Sequence, residues 1–393
     1  MSAVQPDVHE VFTPGAPIDK RELFAGRVKQ IHRVLETIPS PGRHPMVFGQ
    51  RGVGKTSLAN ILGELLPDIW TVKINCDSTD TFASIWNRVL QKASVKFKKK
   101  VFGFSQDEVD SHNCLRDYIE HDGDVSPAEV SDVLGGVQSR AVFILDEFDR
   151  ISEEPAKSRM ADLIKSISDN AVRVTVVIVG VGASIAELIG EHPSIQRNMV
   201  QIELPSMNDD EIKEIITNGC KKLNLQVDQT VLGEIVGLAN GFPHYAHLLG
   251  LNIARACELR STVQVKSGVF NLACSLAIED AIETYRNAFS QATRTSKPSR
   301  YPQVLCACGH AQHDDQGVFR ATDVVDAMKS VFNEELTIQA VVPALGEFCD
   351  NDRGPVLMKI PVGDRSHYRF TDPMMRPFLR IKAKGLKSSM GTR

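Results

Sequence analysis

No apolar run in this sequence approaches the roughly 20 residues that cross a bilayer, so no membrane-spanning helix is expected. The N-terminus lacks the charged-then-apolar pattern of a secretory leader, and the chain reads as cytoplasmic. Its eight cysteines include no C-x-x-C pair. They suit a reducing compartment and read as small buried apolar residues. Cys306, Cys308, His310 and His313 lie close in sequence. However, two cysteines two apart on a helix point in divergent directions, and the spacing matches no usual zinc knuckle. A large excess of either charge is also missing: the formal net charge is −4, which excludes a chain that is basic throughout and binds nucleic acid by bulk charge. At 393 residues, about two or three domains are expected.

What is present is a phosphate loop. A short apolar strand, Met46 to Phe48, runs into Gly49-Gln50-Arg51-Gly52-Val53-Gly54-Lys55-Thr56-Ser57, the pattern G-x-x-x-x-G-K-T, and a helix opens at Lys55. The glycines let the backbone take positive φ and bring its amides close to phosphate oxygens. The helix N-terminus adds positive potential at the same point. Lys55 is placed to reach the β- and γ-phosphates, and the Thr56 hydroxyl to hold Mg²⁺. A second stretch completes the chemistry. Ala141 to Leu145 is a continuous apolar run, read as a buried parallel strand, and it ends in Asp146-Glu147. At the carboxyl end of such a strand, Asp146 is suited to holding Mg²⁺ through water and Glu147 to acting as general base on the attacking water. Asp149 and Arg150 shape the following loop.

Around these motifs the chain alternates strand and helix. Residues 1–19, with Pro6, Pro14, Gly15 and Pro17, read as a loose arm lying on the domain. Phe24, Gly26 and Arg27 precede a helical pattern and either present backbone and apolar groups to a base or form a plain turn. Lys96 to Phe104 holds four lysines and three phenylalanines in nine residues. It reads first as a solvated loop over packed rings, with a grip on single-stranded nucleic acid as the alternative. Residues 105–125 read as an acidic insertion. The strand Val172–Val179 leads to Ser184, which is either beside the γ-phosphate or a helix cap. Arg197 precedes a last strand, Val200–Leu204. It either reaches a neighbouring subunit's nucleotide or makes an ordinary salt bridge.

After Pro205 the composition turns helical. One helix is capped by Asn208, another covers Asp228–Leu238, and a third opens at Gly241-Phe242-Pro243-His244. A long helix is expected over Leu272–Ala292. Three helices then precede two short strands, Val356–Ile360 and His367–Phe370, and a closing helix over Met374–Lys382. Three helices and a β-ribbon read as a winged-helix-like domain. Between Arg353 and Arg393 there are ten Lys or Arg against two Asp, net +8. The third helix carries no cation between Thr337 and Cys349, which is poor chemistry for reading a major groove. The basic charge lies on the wing and tail, at Arg353, Lys359, Arg365, Arg369, Arg380, Lys382, Lys384 and Lys387. It is either a nonspecific phosphate contact or a solvated tail.

The order Phe24/Gly26/Arg27, Gly49–Thr56, Asp146/Glu147, Ser184 and Arg197 resembles the AAA+ ATPases and their signalling relatives, the STAND ATPases, in the origin-recognition or initiator style. The resemblance implies an α/β P-loop NTPase fold: a five-stranded parallel sheet with helices on both faces, followed by a helical lid and a winged-helix-like domain. The domains are then an arm (1–19), an ATPase core (20–205), a lid (206–295), the winged-helix-like domain (296–386) and a basic tail (387–393). It also implies ATP as the nucleotide and glutamate-assisted attack by water; no guanine-reading N-K-x-D is present in the sequence. Where AAA+ proteins carry an arginine near the third lid helix, this chain has His244, and its Gly-x-Pro step is similar to that of STAND proteins, whose proline region contacts the nucleotide. The expectation is an ATP- and Mg²⁺-dependent homo-oligomeric switch acting on a partner protein, by analogy in bacterial antiphage defence. The alternative is a DNA-binding initiator or loader that uses the winged helix and basic segments.

Overall fold

Short apolar strands alternating with amphipathic helices build a parallel sheet, because each crossover must pass over a face of the sheet. The computed structural model describes residues 7–98, 110–182, 195–296, 299–314, 316–362 and 365–390. Two compact units emerge: residues 17–50 with 54–205, and residues 1–16 with 51–53 and 206–393.

In the first unit, β1 (His44–Gly49), β2 (Trp70–Asn75), β5 (Ala141–Asp146), β6 (Val174–Val181) and β7 (Met199–Glu203) form one sheet in the order β2-β5-β6-β1-β7. Its neighbouring strands run parallel. Every residue of β5 is buried, as a strand covered on both faces requires. Alternate side chains serve opposite layers. Phe143 and Leu145 join one cluster with Trp86, Val89, Met160 and Ile164 from the helices Phe82–Lys92 and Glu154–Asp169. The helices Val28–Thr37 and Lys55–Leu65 contribute Val34, Leu58 and Ile61 to the rest of the core. His44 is buried as the first residue of β1: its Nδ1 accepts the Val176 amide at 3.0 Å and its Nε2 lies 3.1 Å from Ser168 Oγ. Burial pulls its pKa down to about 4, so it serves as a neutral clasp between β1 and β6.

The start of the segment read as a loop, residues 96–98, is strand. Here β3 (Ser94–Lys98) pairs antiparallel with β4 (Asp110–Cys114). Lys96 and Lys98 fall on β3, while residues 99–109 and the side chains of 94–98 lie outside what is described.

The second unit is helical up to a terminal hairpin. Asp209–Lys222, Gln229–Ala239, Pro243–Leu259 and Ser267–Asp280 pack together, the first two capped by Asn208 and Asp228 side chains. The long helix expected over 272–292 is in fact two, Ser267–Asp280 and Glu283–Ala292. Ala281 and Ile282 are extended, at ψ 150° and 125°, although neither is glycine or proline. The second helix turns so that Tyr285 and Phe289 pack against Phe378, at ring separations of 6.2 and 6.3 Å. Tyr285 also donates to Asp372 at 2.9 Å. Tertiary contact outweighs helix propensity at this joint. Helices Tyr301–His310, Ala321–Phe332 and Ile338–Glu347 precede the antiparallel strands Leu357–Val362 and Arg365–Phe370. A bridge from Phe319 to Tyr368 adds a short third edge. The last helix, Met375–Met390, runs well past the expected end at Lys382.

The arm is less loose than its prolines imply. Val8–Val11 is helical, and Phe12 is 1% exposed. A Cβ on Gly219 or on Gly250 would sit 2.3 Å from the Phe12 ring, so two glycines on neighbouring helices open a slot that Phe12 fills. Phe12→Ala is expected to cost about 3 kcal/mol. The loss should be read as reduced hydrogen-exchange protection in Asp209–Lys222 and Pro243–Leu259; unchanged protection would show that the slot contributes nothing.

Candidate functional site

The phosphate loop is fixed from its first residue. Gly49 has φ 154°, and a Cβ there would lie 2.3 Å from the Leu204 carbonyl oxygen; close approach to the chain after β7 demands glycine. Gly52 and Gly54 follow at φ 84° and 97°, and Gly54 caps the helix Lys55–Leu65 in the left-handed region. Turn amides beside a helix N-terminus make an anion-binding concavity. Gln50 and Arg51 are exposed and Val53 is fully buried. Lys55 is buried too, and its ammonium donates to the carbonyls of Gly49 at 3.0 Å and Gln50 at 2.8 Å. The Ser57 hydroxyl accepts the Ile18 amide at 3.1 Å, so Ser57 anchors the incoming chain.

The two acidic residues arrive from β5, beyond the intervening strand β6. Thr56 Oγ1 lies 3.5 Å from Asp146 Oδ1, which brings the two expected metal-holding side chains together. The Glu147 amide donates to the same Oδ1 at 2.9 Å. Asp146 Oδ2 is buried and faces the Lys73 ammonium at 2.9 Å. A buried carboxylate beside a threonine hydroxyl fits a hard, oxygen-seeking divalent cation. Glu147 adopts φ 56°, a left-handed conformation that costs a non-glycine residue about 1–2 kcal/mol. Its carboxylate is 2.8 Å from Arg150. Asp149 accepts the Val181 amide at 2.8 Å, which ties the loop after β5 to the end of β6.

Sequence reasoning missed Lys73 and Asn60. Lys73 Nζ lies 2.9 Å from Asp146 Oδ2 and 2.6 Å from Asn60 Oδ1. Its signal was faint, a single cation inside the strand pattern Trp70–Asn75.

Other expected site residues divide. Gly26 and Arg27 are successive left-handed residues, at φ 65° and 62°, and make the turn before Val28–Thr37. The Arg27 side chain is buried. Arg197 is exposed and pairs with Asp169 at 3.0 Å, the salt bridge that stood as its alternative. Ser184 falls outside the described residues. In the second unit, Pro243 opens its helix at the first turn. His244 Nδ1 lies 2.8 Å from the Pro14 carbonyl, and His247 Nδ1 accepts the Thr13 amide at 3.2 Å. Burial lowers the pKa of both histidines, that of His247 to about 4.

Much of the carboxy-terminal positive charge is engaged within its own unit. Arg353 pairs with Glu347 at 2.7 Å, and Arg380 donates to the carbonyls of Gly309 at 2.8 Å and Gly237 at 2.7 Å. Lys384 pairs with Glu234, and Lys382 lies over the Phe289 ring. Among the described residues, no helix is long and apolar enough to cross a membrane.

The profile of the novel STAND NTPase 1 family matches residues 17–345. Among solved structures, the Walker-type ATPase of Pyrococcus abyssi is similar to this chain with a TM-score of 0.52 and 17% identity. That match covers 93% of this chain and 98% of the other. The Aeropyrum pernix Orc1 protein, solved in complex with DNA, gives a TM-score of 0.48 at 14% identity, covering 97% of each chain. No curated protein matches the sequence significantly. The likeness to the Pyrococcus structure shows the α/β P-loop NTPase fold and nothing finer.

Proposed function

The chain belongs to the novel STAND NTPase 1 family, a family of P-loop NTPases, and from that premise we propose that it is a Mg²⁺-dependent ATPase working as a nucleotide-controlled, homo-oligomeric switch on a partner protein. The observation that carries this reading is the meeting of Thr56 and Asp146, 3.5 Å apart, beside a glycine turn and a lysine. In it, the turn amides and Lys55 bind the β- and γ-phosphates. Lys55 exchanges two carbonyl partners for phosphate oxygens. Thr56 and Asp146 hold Mg²⁺, which neutralises charge on the phosphate oxygens when bound. Glu147 takes a proton from the attacking water. Ser184 reports the γ-phosphate, and Arg197 exchanges Asp169 for the nucleotide of a neighbouring copy. Gly26 and Arg27 line the base, while Pro243 and His244 carry the nucleotide state into the helical unit.

The last three helices and hairpin act as a winged-helix-like protein-contact module, and the downstream output belongs to the partner. Antiphage defence is the setting proposed, by analogy with bacterial ATPases of this look. DNA contact through the wing and tail is the less supported role, since Arg353, Arg380 and Lys384 already have partners within the chain.

Nucleotide-dependent assembly tests this proposal. Light scattering of the full chain should show a mass of two or more copies with ATP and Mg²⁺, and a smaller mass with ADP. A monomer under ATP across the accessible concentration range would overturn the switch reading.

A further inference from the structure

The carboxylate assigned to the metal already faces a cation of its own chain. Lys73 is on β2, an edge strand of the sheet, and its backbone is in register with Ile144 on β5, two residues before Asp146. From there its ammonium reaches Asp146 Oδ2 at 2.9 Å, while Thr56 and the Glu147 amide approach Oδ1. The Asp146 side chain is only 2% exposed, so the pair sits where solvent screens it poorly. Asn60 fixes the lysine from the other side. It lies one helical turn beyond Thr56, on the same face, and accepts from Lys73 at 2.6 Å. Its own amide donates to the Ile18 carbonyl at 3.4 Å, which leaves Oδ1 for the lysine. Lys73 therefore belongs to a braced arrangement of three elements, unlike the mobile surface pairs that contribute little.

We propose that Lys73 is a positioning residue that stands in for the metal at Asp146 and makes metal entry depend on the triphosphate. This rests on the reading that Asp146 holds Mg²⁺. A buried carboxylate without a counter-cation is open to a free divalent ion. The ammonium opposes that, and it holds the Asp146 oxygens oriented toward Thr56. A divalent cation arriving alone meets a fixed positive charge beside its ligand. The same cation arriving with a triphosphate brings several negative charges that offset the lysine. The nucleotide-free protein thus rejects bare metal, and the site fills only as a metal–nucleotide complex.

The test uses Mn²⁺ as the probe, with binding to the full-length protein read by electron paramagnetic resonance in the absence of nucleotide. Lys73→Met should bind free Mn²⁺ at least about tenfold more tightly than the wild type, by removal of the local charge. Lys73→Arg should behave as the wild type, and adding Asp146→Asn to Lys73→Met should abolish the gain. If Lys73→Met fails to fold, as judged by its melting transition, Lys73→Gln is read in its place and should shift affinity in the same direction. Equal free Mn²⁺ affinity in wild type and variant overturns the proposal. In that event, Mn²⁺–ATP binding separates the two levels: weakening by Asp146→Asn leaves the metal assignment standing, and indifference to Asp146→Asn removes that assignment as well.

Discussion

Replacing Glu147 by Gln is expected to leave ATP binding within a few-fold of wild type and to slow turnover by about 10²–10⁴-fold, the range that a positioned general base contributes. Glutamine keeps the shape of the side chain and one carbonyl acceptor but cannot take a proton. The fold has little reason to respond. Glu147 is 41% exposed and its pair with Arg150 lies at the surface, where such pairs contribute up to about 1 kcal/mol. The left-handed backbone at φ 56° is as available to glutamine as to glutamate, and the amide still donates to Asp146. Binding of a fluorescent ATP analogue and release of phosphate should therefore separate cleanly. Full turnover in the variant would show that another group serves as base. A parallel loss of binding would show that Glu147 holds nucleotide.

The parts of this site that were legible in the sequence are those whose chemistry is local. The glycine turn needs positive φ at fixed offsets, so Gly49, Gly52 and Gly54 announce it. The buried strand Ala141–Asp146 shows itself by an unbroken apolar run that stops at two acids. The cap at Asn208 was readable for the same reason. What escaped depends on contacts between residues far apart in the chain. Lys73 gains meaning only from the pairing of β2 with β5, which sets Asn75 opposite Asp146. Phe12 looks like one apolar residue in a proline-rich arm until Gly219 and Gly250 are placed around it. The break at Ala281–Ile282 has no glycine or proline to mark it and follows from the packing of Tyr285 and Phe289 on Phe378. The carboxy-terminal cations were counted as free charge because no sequence pattern reveals that Arg380 will donate to Gly309 and Gly237.

Lys55→Ala should weaken nucleotide binding by about 10²-fold or more while changing stability far less, and the contrast between the two is the informative part. The ammonium is buried and donates to two loop carbonyls, at 3.0 and 2.8 Å. Truncating it removes the charge together with its hydrogen bonds to the Gly49 and Gln50 carbonyls, and both of these partners are neutral groups, unlike the stranded ion that makes losing one partner of a buried ion pair so costly. The Gly49 and Gln50 carbonyls lose a donor, but Gln50 lies on the exposed part of the turn, where water can replace it. The triphosphate has no such substitute. Each hydrogen bond from a charged donor contributes roughly 1.5–3 kcal/mol, and losing two of them to phosphate oxygens corresponds to at least about a hundredfold in affinity. Calorimetric titration with ATP and Mg²⁺, set beside a urea unfolding curve of the same preparation, measures both quantities. Wild-type affinity in Lys55→Ala would mean that the turn amides alone hold the phosphates. A collapse of stability of similar size would mean that the lysine is chiefly a brace for the loop.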